Sequence, residues 1–124
     1  MSTQNTIDEI VKFFFTLQLN MKMYHWNTNS YPRHKASDEF GGKLGELTDR
    51  FVEVYIGRYN VKPVVSSIKV DPAFLSENGS EELLIKSKKY LEELGNVIKS
   101  SDLLNIRDEL LGEINQTLYL YQLK

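Results

Sequence analysis

The 124-residue sequence predicts an all-α fold, a four-helix bundle with a long crossover connection between its second and third helices. Apolar residues recur three and four positions apart in four separate stretches, which is the helical period. Capping residues and a proline mark where those stretches begin. The segment 60–79, which contains Pro63 and Pro72, is too long for a tight turn and separates two helical hairpins. Hydrophobic residues make up 41% and charged residues 26%, enough to close one modest core, so residues 1–124 read as a single domain.

The first helix is expected to start at Thr6, because Thr6 and Glu9 form a capping-box pattern ahead of an apolar run. Ile7, Ile10, Val11, Phe14, Leu17, Met21 and Tyr24 keep the helical period, and Phe13 and Phe15 widen the apolar face enough to suggest burial on two sides. This helix should end between Asn27 and Ser30. Pro32 suits the first turn of a second helix, where its missing N–H costs nothing, and that helix runs to about Gly57 or Tyr59. Its apolar stripe is Ala36, Phe40, Leu44, Leu47, Phe51, Val54 and Tyr55. The connection at 60–79 has room for one short helical turn around Pro72 to Ser76. A third helix follows Ser80 with Leu83, Leu84, Tyr90, Leu91, Leu94 and Ile98, and Gly95 lies near its end. Ser100-Ser101-Asp102 caps a fourth, carrying Leu103, Ile106, Leu110, Ile114, Thr117 and Tyr121. Two hairpins joined by a long link make a bundle of the ferritin-like plan.

Composition narrows the function classes. A formal net charge of −2, a pI near 5.7 and an uncharged first six residues give no general attraction to nucleic acid or to an anionic membrane. The chain has no cysteine, hence no disulfide and no thiolate metal site. No apolar run approaches the roughly 20 residues that span a bilayer, and no signal-peptide pattern is present, so a soluble, cytoplasmic protein is expected. Lys86, Lys88 and Lys89 form a small basic group expected on a wet helix face.

The chemistry concentrates on the second helix. His34 with Asp38, and Asp49 with Glu53, are pairs spaced four apart, so each pair projects from one helix face. Asp49 follows Asp38 by eleven residues, or three turns plus about 20°, which places all four groups on one stripe. At about 1.5 Å per residue the pair centres lie roughly 22 Å apart, too far to share a metal ion within one chain. Positions 34 and 53, 38 and 49, and 42 and 45 are nevertheless symmetric about the midpoint between Lys43 and Leu44. An antiparallel second copy would therefore bring His34 level with Glu53 and Asp38 level with Asp49. Gly41, Gly42 and Gly45 flank that midpoint and permit close approach of two helices. The same glycines admit a second reading, a helix break at Gly41-Gly42.

His25, the only other histidine, precedes His34 by nine residues across a short turn, so both can lie at one site. Imidazole and carboxylate donors without sulfur suit iron, manganese or zinc. Trp26, beside His25, is expected to pack in the core.

Tyr24-His25-Trp26-Asn27, His34 with Asp38, and Asp49 with Glu53 followed by Ile56-Gly57 resemble the Dps proteins, the mini-ferritins named as DNA-binding proteins from starved cells. In that family a helix-1 histidine precedes tryptophan, and helix 2 carries a histidine, a carboxylate four residues later, Asp fifteen later and Glu nineteen later. This sequence has the same helix-2 offsets, and the resemblance covers residues 7 to 60. It implies a ferroxidase site in which His25, His34 and Asp38 of one subunit join Asp49 and Glu53 of a twofold neighbour. Such a site would bind ferrous iron and oxidise it to the ferric state with hydrogen peroxide or oxygen, for iron detoxification and storage. The histidines would supply nitrogen donors, Asp38 and Glu53 would bind or bridge iron, and Asp49 would hold iron or orient another ligand. The implied assembly is a homo-oligomer, a twofold dimer at least, with a dodecameric shell as the family's larger form. The acidic balance and uncharged tail argue against DNA binding. The alternative function is a non-catalytic helical oligomerisation or partner-binding protein that keeps the bundle.

Overall fold

A computed structural model describes residues 2–123, and among them all the regular secondary structure is helical. The helices are α1 (Thr3–Asn27), α2 (Tyr31–Tyr59), α3 (Glu77–Glu93) and α4 (Ser101–Leu120), with short 3-10 turns at Pro72–Phe74 and Leu94–Asn96. No helix among these residues is long and apolar enough to cross a membrane.

Two helix starts differ from the sequence expectation, each by about one turn. Helix α1 begins at Thr3 and not Thr6, because the Ser2 hydroxyl caps it by accepting the Asn5 N–H at 3.0 Å, leaving Thr6 buried inside the helix. Helix α3 begins at Glu77 and not after Ser80, with the Ser76 hydroxyl accepting the Gly79 N–H at 2.9 Å. In both cases the first turn lacks the apolar residues that define the period, so the pattern starts later than the helix. Gly79 has a packing reason: a Cβ there would overlap the Ala73 carbonyl oxygen, where the 3-10 turn presses on α3. At α4 the N-cap position is Ser100, within the expected capping group, but its hydroxyl makes no cap bond; Asp102 in the first turn instead accepts the Leu103 N–H at 3.0 Å.

Helix α2 runs unbroken for 29 residues, which disposes of a break at Gly41-Gly42. The Ser30 hydroxyl caps it, Pro32 sits in its first turn, and Asn60 ends it in the left-handed region at φ 54°. This helix packs against α1 and α4, while α3 packs against α4 and α1. The expected apolar stripes converge on one core, with Phe14 of α1 meeting Phe51 of α2 edge to face at 5.4 Å. Tyr55 donates to the Thr3 carbonyl at 2.7 Å, so the end of α2 lies beside the start of α1.

From there residues 60–71 run back along α1. Gln4 donates to the Lys62 carbonyl at 2.8 Å, and the Val64 N–H donates to Asp8 at 2.8 Å. Further along, fully buried Asn20 donates to the Lys69 carbonyl at 3.0 Å and accepts the Asp71 N–H at 2.8 Å. These side chains give an irregular backbone segment the partners that regular structure would otherwise supply.

At the other end of the bundle, Arg33 of α2 and Glu77 of α3 together tie α1 and the end of α4 into one network. The Arg33 guanidinium donates to the Glu77 carbonyl at 3.2 Å and the Tyr121 carbonyl at 3.1 Å, pairs with Glu81, and lies 4.6 Å from the centre of the Tyr121 ring. The Glu77 carboxylate accepts the Tyr24 hydroxyl at 2.6 Å and the Thr28 hydroxyl at 2.7 Å. Partial desolvation acts to raise the Glu77 carboxyl, but the bonds from Tyr24 and Thr28 and the Arg33 charge outweigh it and hold the group below the usual glutamate range. A carboxylate with a depressed folded value adds stability above its unfolded value of about 4.3 and loses it as pH falls through the folded value. Glu77→Gln is therefore expected to lower stability by about 1 kcal/mol at neutral pH, since the side chain is half open to solvent and screened. Urea unfolding at neutral pH and again in the acid range below the glutamate value should show that gap closing; an equal gap at both would contradict the assignment.

Candidate metal centre

Both histidines sit where α1 hands over to α2, and the turn between them brings their rings into a stack with centres 4.0 Å apart and planes 18° from parallel. Each ring is held by the other residue's backbone. His25 Nδ1 donates to the His34 carbonyl at 2.8 Å, and His34 Nδ1 donates to the His25 carbonyl at 2.9 Å. A carbonyl oxygen only accepts, so the proton of each neutral imidazole is assigned to Nδ1 and the lone pair to Nε2. That is the arrangement in which histidine binds metal, with one nitrogen oriented by a carbonyl and the other free.

Ser37 completes the lock. Its hydroxyl donates to the same His34 carbonyl at 3.0 Å and lies 3.2 Å from His25 Nδ1. The sequence reading did not single out Ser37, although its position one turn after His34 would have pointed to it. Nor did it find the Arg33–Glu77 clamp, whose members are 44 positions apart. Arg33 and Tyr24 each adjoin one of the histidines in sequence, so this clamp fixes both ends of the turn that carries them.

His25 is nine-tenths buried, and its Nε2 faces the Asp38 carboxylate at 3.8 Å, beyond hydrogen-bonding distance. Asp38 itself is largely open to solvent. The structure thus brings His25, His34 and Asp38 together at one end of α2. Asp49 and Glu53 are exposed on the same helix, roughly 22 Å further along by helical rise. Among the described residues, no three His, Cys, Asp or Glu side chains of one chain form a group able to hold a metal ion.

Between the two half-sets lies a trough along the α1–α2 seam. One stretch, of about 550 Å³, is lined by Asp38, Gly41, Gly42 and Gly45 of α2 and by Gln18, Leu19 and Lys22 of α1. It shares Gln18 and Gly45 with a second, of about 720 Å³, that reaches Asp49, Val52 and Phe15. A Cβ added at Gly41, Gly42 or Gly45 would meet nothing within 4 Å. No contact among the described residues needs these glycines.

The α1 wall of the trough is unusually apolar for a surface. Of the two residues that widen the first helix, Phe13 is covered by Tyr90 of α3, their rings stacked 4.0 Å apart, whereas Phe15 is 45% and neighbouring Leu19 44% exposed, so the burial expected on that side is not supplied by the described residues. Trp26 does not pack in the core as expected: it is 65% exposed, with the Lys22 ammonium 5.4 Å from its ring centre. The physical reason is the face it occupies: in the same last turn of α1, Tyr24 and His25 take the inward positions, Tyr24 reaching Glu77 of α3 and Tyr121, and Trp26 is left on the outward side.

Comparison with known proteins adds lineage and no activity. An uncharacterized 14.6 kDa protein from the mobD-ri intergenic region of Enterobacteria phage T4 is 28% identical over 122 residues, covering 94% of this chain and 88% of that protein. No solved structure matches the chain. The model of a family of unknown function, DUF5856, matches residues 25–121, a span that opens on His25 and takes in His34, Asp38, Asp49 and Glu53. The chain belongs to that family.

Proposed function

We propose that two copies of this chain pair through their α2 faces and form a Dps-like ferroxidase, with ferrous iron as substrate held between subunits. The observation that carries this reading is the pair of locked imidazoles. His25 and His34 are oriented by each other's carbonyls with both Nε2 lone pairs left free, beside Asp38 and at the end of a glycine-floored face that none of the described residues covers. A twofold axis between Lys43 and Leu44 would deliver the partner's Asp49 and the partner's Glu53 to that place. The path of residues 60–71 back along α1, and the packing order α1–α2–α4–α3, support a ferritin-like bundle with a crossover between α2 and α3.

In this reading His25 and His34 donate nitrogen, Asp38 and the partner's Glu53 bind or bridge iron, and the partner's Asp49 holds iron or orients another ligand. The oxygen donors favour the ferric product electrostatically. Two ferrous ions each give one electron to one hydrogen peroxide molecule, the O–O bond breaks, and two protons complete two waters. Pairing the electrons at one site avoids the hydroxyl radical that a single-electron reduction would release. Dioxygen is the alternative oxidant, and manganese and zinc fit the same donors. The role is iron detoxification, with storage following if the dimers close into a twelve-subunit shell. A non-catalytic oligomerisation role is the second reading, favoured by the exposed Phe15 and Leu19, which call for a covering surface whatever the chemistry.

Purified protein given ferrous iron and peroxide should oxidise iron at least tenfold faster than its His34→Ala/Asp49→Ala variant; equal rates would reject the site and leave the second reading. Gly42→Leu probes the face separately. Because a side chain there meets nothing in the chain, the variant is expected to keep its helical circular dichroism and melt no earlier as a monomer, yet to lose pairing in sedimentation. A Gly42→Leu protein that still pairs would contradict the α2 interface.

A further inference from the structure

We infer that pairing of two copies is itself linked to a divalent cation, so that the apo protein associates weakly and the loaded protein tightly. This rests on the inter-subunit site proposed above and adds a regulatory property to it. Antiparallel pairing about the Lys43–Leu44 midpoint sets His34 against Glu53 of the partner subunit, which is complementary, but sets Asp38 against Asp49 of the partner subunit, which is not. Each half-site then gathers three carboxylates against two imidazoles.

No Lys or Arg among the described residues pairs with these carboxylates. Among the described residues Asp49 and Glu53 make no ion pair, and Asp38 is paired only with the His25 imidazole, whose Nε2 lies 3.8 Å away. Lys22 lines the same trough, but its ammonium is placed over the Trp26 ring. A monomer leaves the carboxylates in water at little cost, whereas the pair draws them out of water and together. His25, nine-tenths buried with its Nε2 lacking a hydrogen-bond partner, faces the same spot and offers a donor to a cation there. A ligand that binds the pair and not the monomer shifts association by mass action.

Sedimentation of the full chain across a concentration series, with EDTA or with manganous ion under otherwise equal conditions, reads this directly. Manganous ion is expected to tighten association about tenfold or more. The Asp38→Asn/Asp49→Asn variant, which removes the repulsion, is expected to associate more tightly than the native protein in EDTA and to lose the response to manganese. Association that is equal in EDTA and manganese, or a variant that pairs more weakly in EDTA, overturns the inference. Its failure is distinct from failure of the ferroxidase reading: iron oxidation with metal-indifferent association sinks only the linkage, and manganese-tightened association without iron oxidation sinks only the chemistry.

Discussion

The stiffness of α2 governs everything else in this molecule. A continuous α-helix holds its residues at fixed rise, so the half-set at His34 and Asp38 and the half-set at Asp49 and Glu53 stay about three helical pitches and more apart. Bending the helix at Gly41-Gly42 was the one way for a single chain to bring them together, and the helix does not bend there. Any function that uses both half-sets therefore needs a second chain. The chain that fits with least added assumption is another copy, because the spacing is symmetric about a point inside the helix.

The glycines show the same constraint in energetic terms. Three glycines in a helix interior cost about 1 kcal/mol each relative to alanine, against a total stability of about 5–15 kcal/mol for a domain. Gly79 has its reason inside the chain, where the Ala73 carbonyl occupies the space a Cβ would take. Gly41, Gly42 and Gly45 have none, and the surface they floor is walled by exposed Phe15 and Leu19. At the end of that surface the imidazoles are oriented in advance, since each Nδ1–H is committed to a carbonyl across the turn. Orientation fixed in the folded chain removes part of the ordering cost that ligand binding would otherwise carry.

Much of this was legible in the sequence. The apolar period located all four helices, Pro32 located the start of α2, and the long link with its Pro72 turn appeared as expected. The first turns of α1 and α3 were missed because Thr3–Asn5 and Glu77–Gly79 contain no apolar residue to extend the pattern, while the caps that start them, Ser2 and Ser76, are ordinary serines in the sequence. Spacing put His25 and His34 near each other, but not their tautomers, which depend on backbone carbonyls meeting across a turn. Trp26 looked like a core residue because tryptophan usually is buried; its exposure follows from the helix face it occupies, since Tyr24 and His25 take the inward positions of the same turn. The Arg33–Glu77 clamp joins residues too distant in sequence for any periodicity to pair.

Subunit complementation tests the central claim most directly. A His34→Ala chain and an Asp49→Ala chain each lack one half of every site, so each alone should be inactive in peroxide-driven iron oxidation. When the two are unfolded together and refolded as a mixture, a mixed pair regains one intact site from His34 of one subunit and Asp49 of the other, and about a quarter of native activity should return if pairing is random. A mixture no more active than its components, though it pairs normally, would contradict a site shared between two chains.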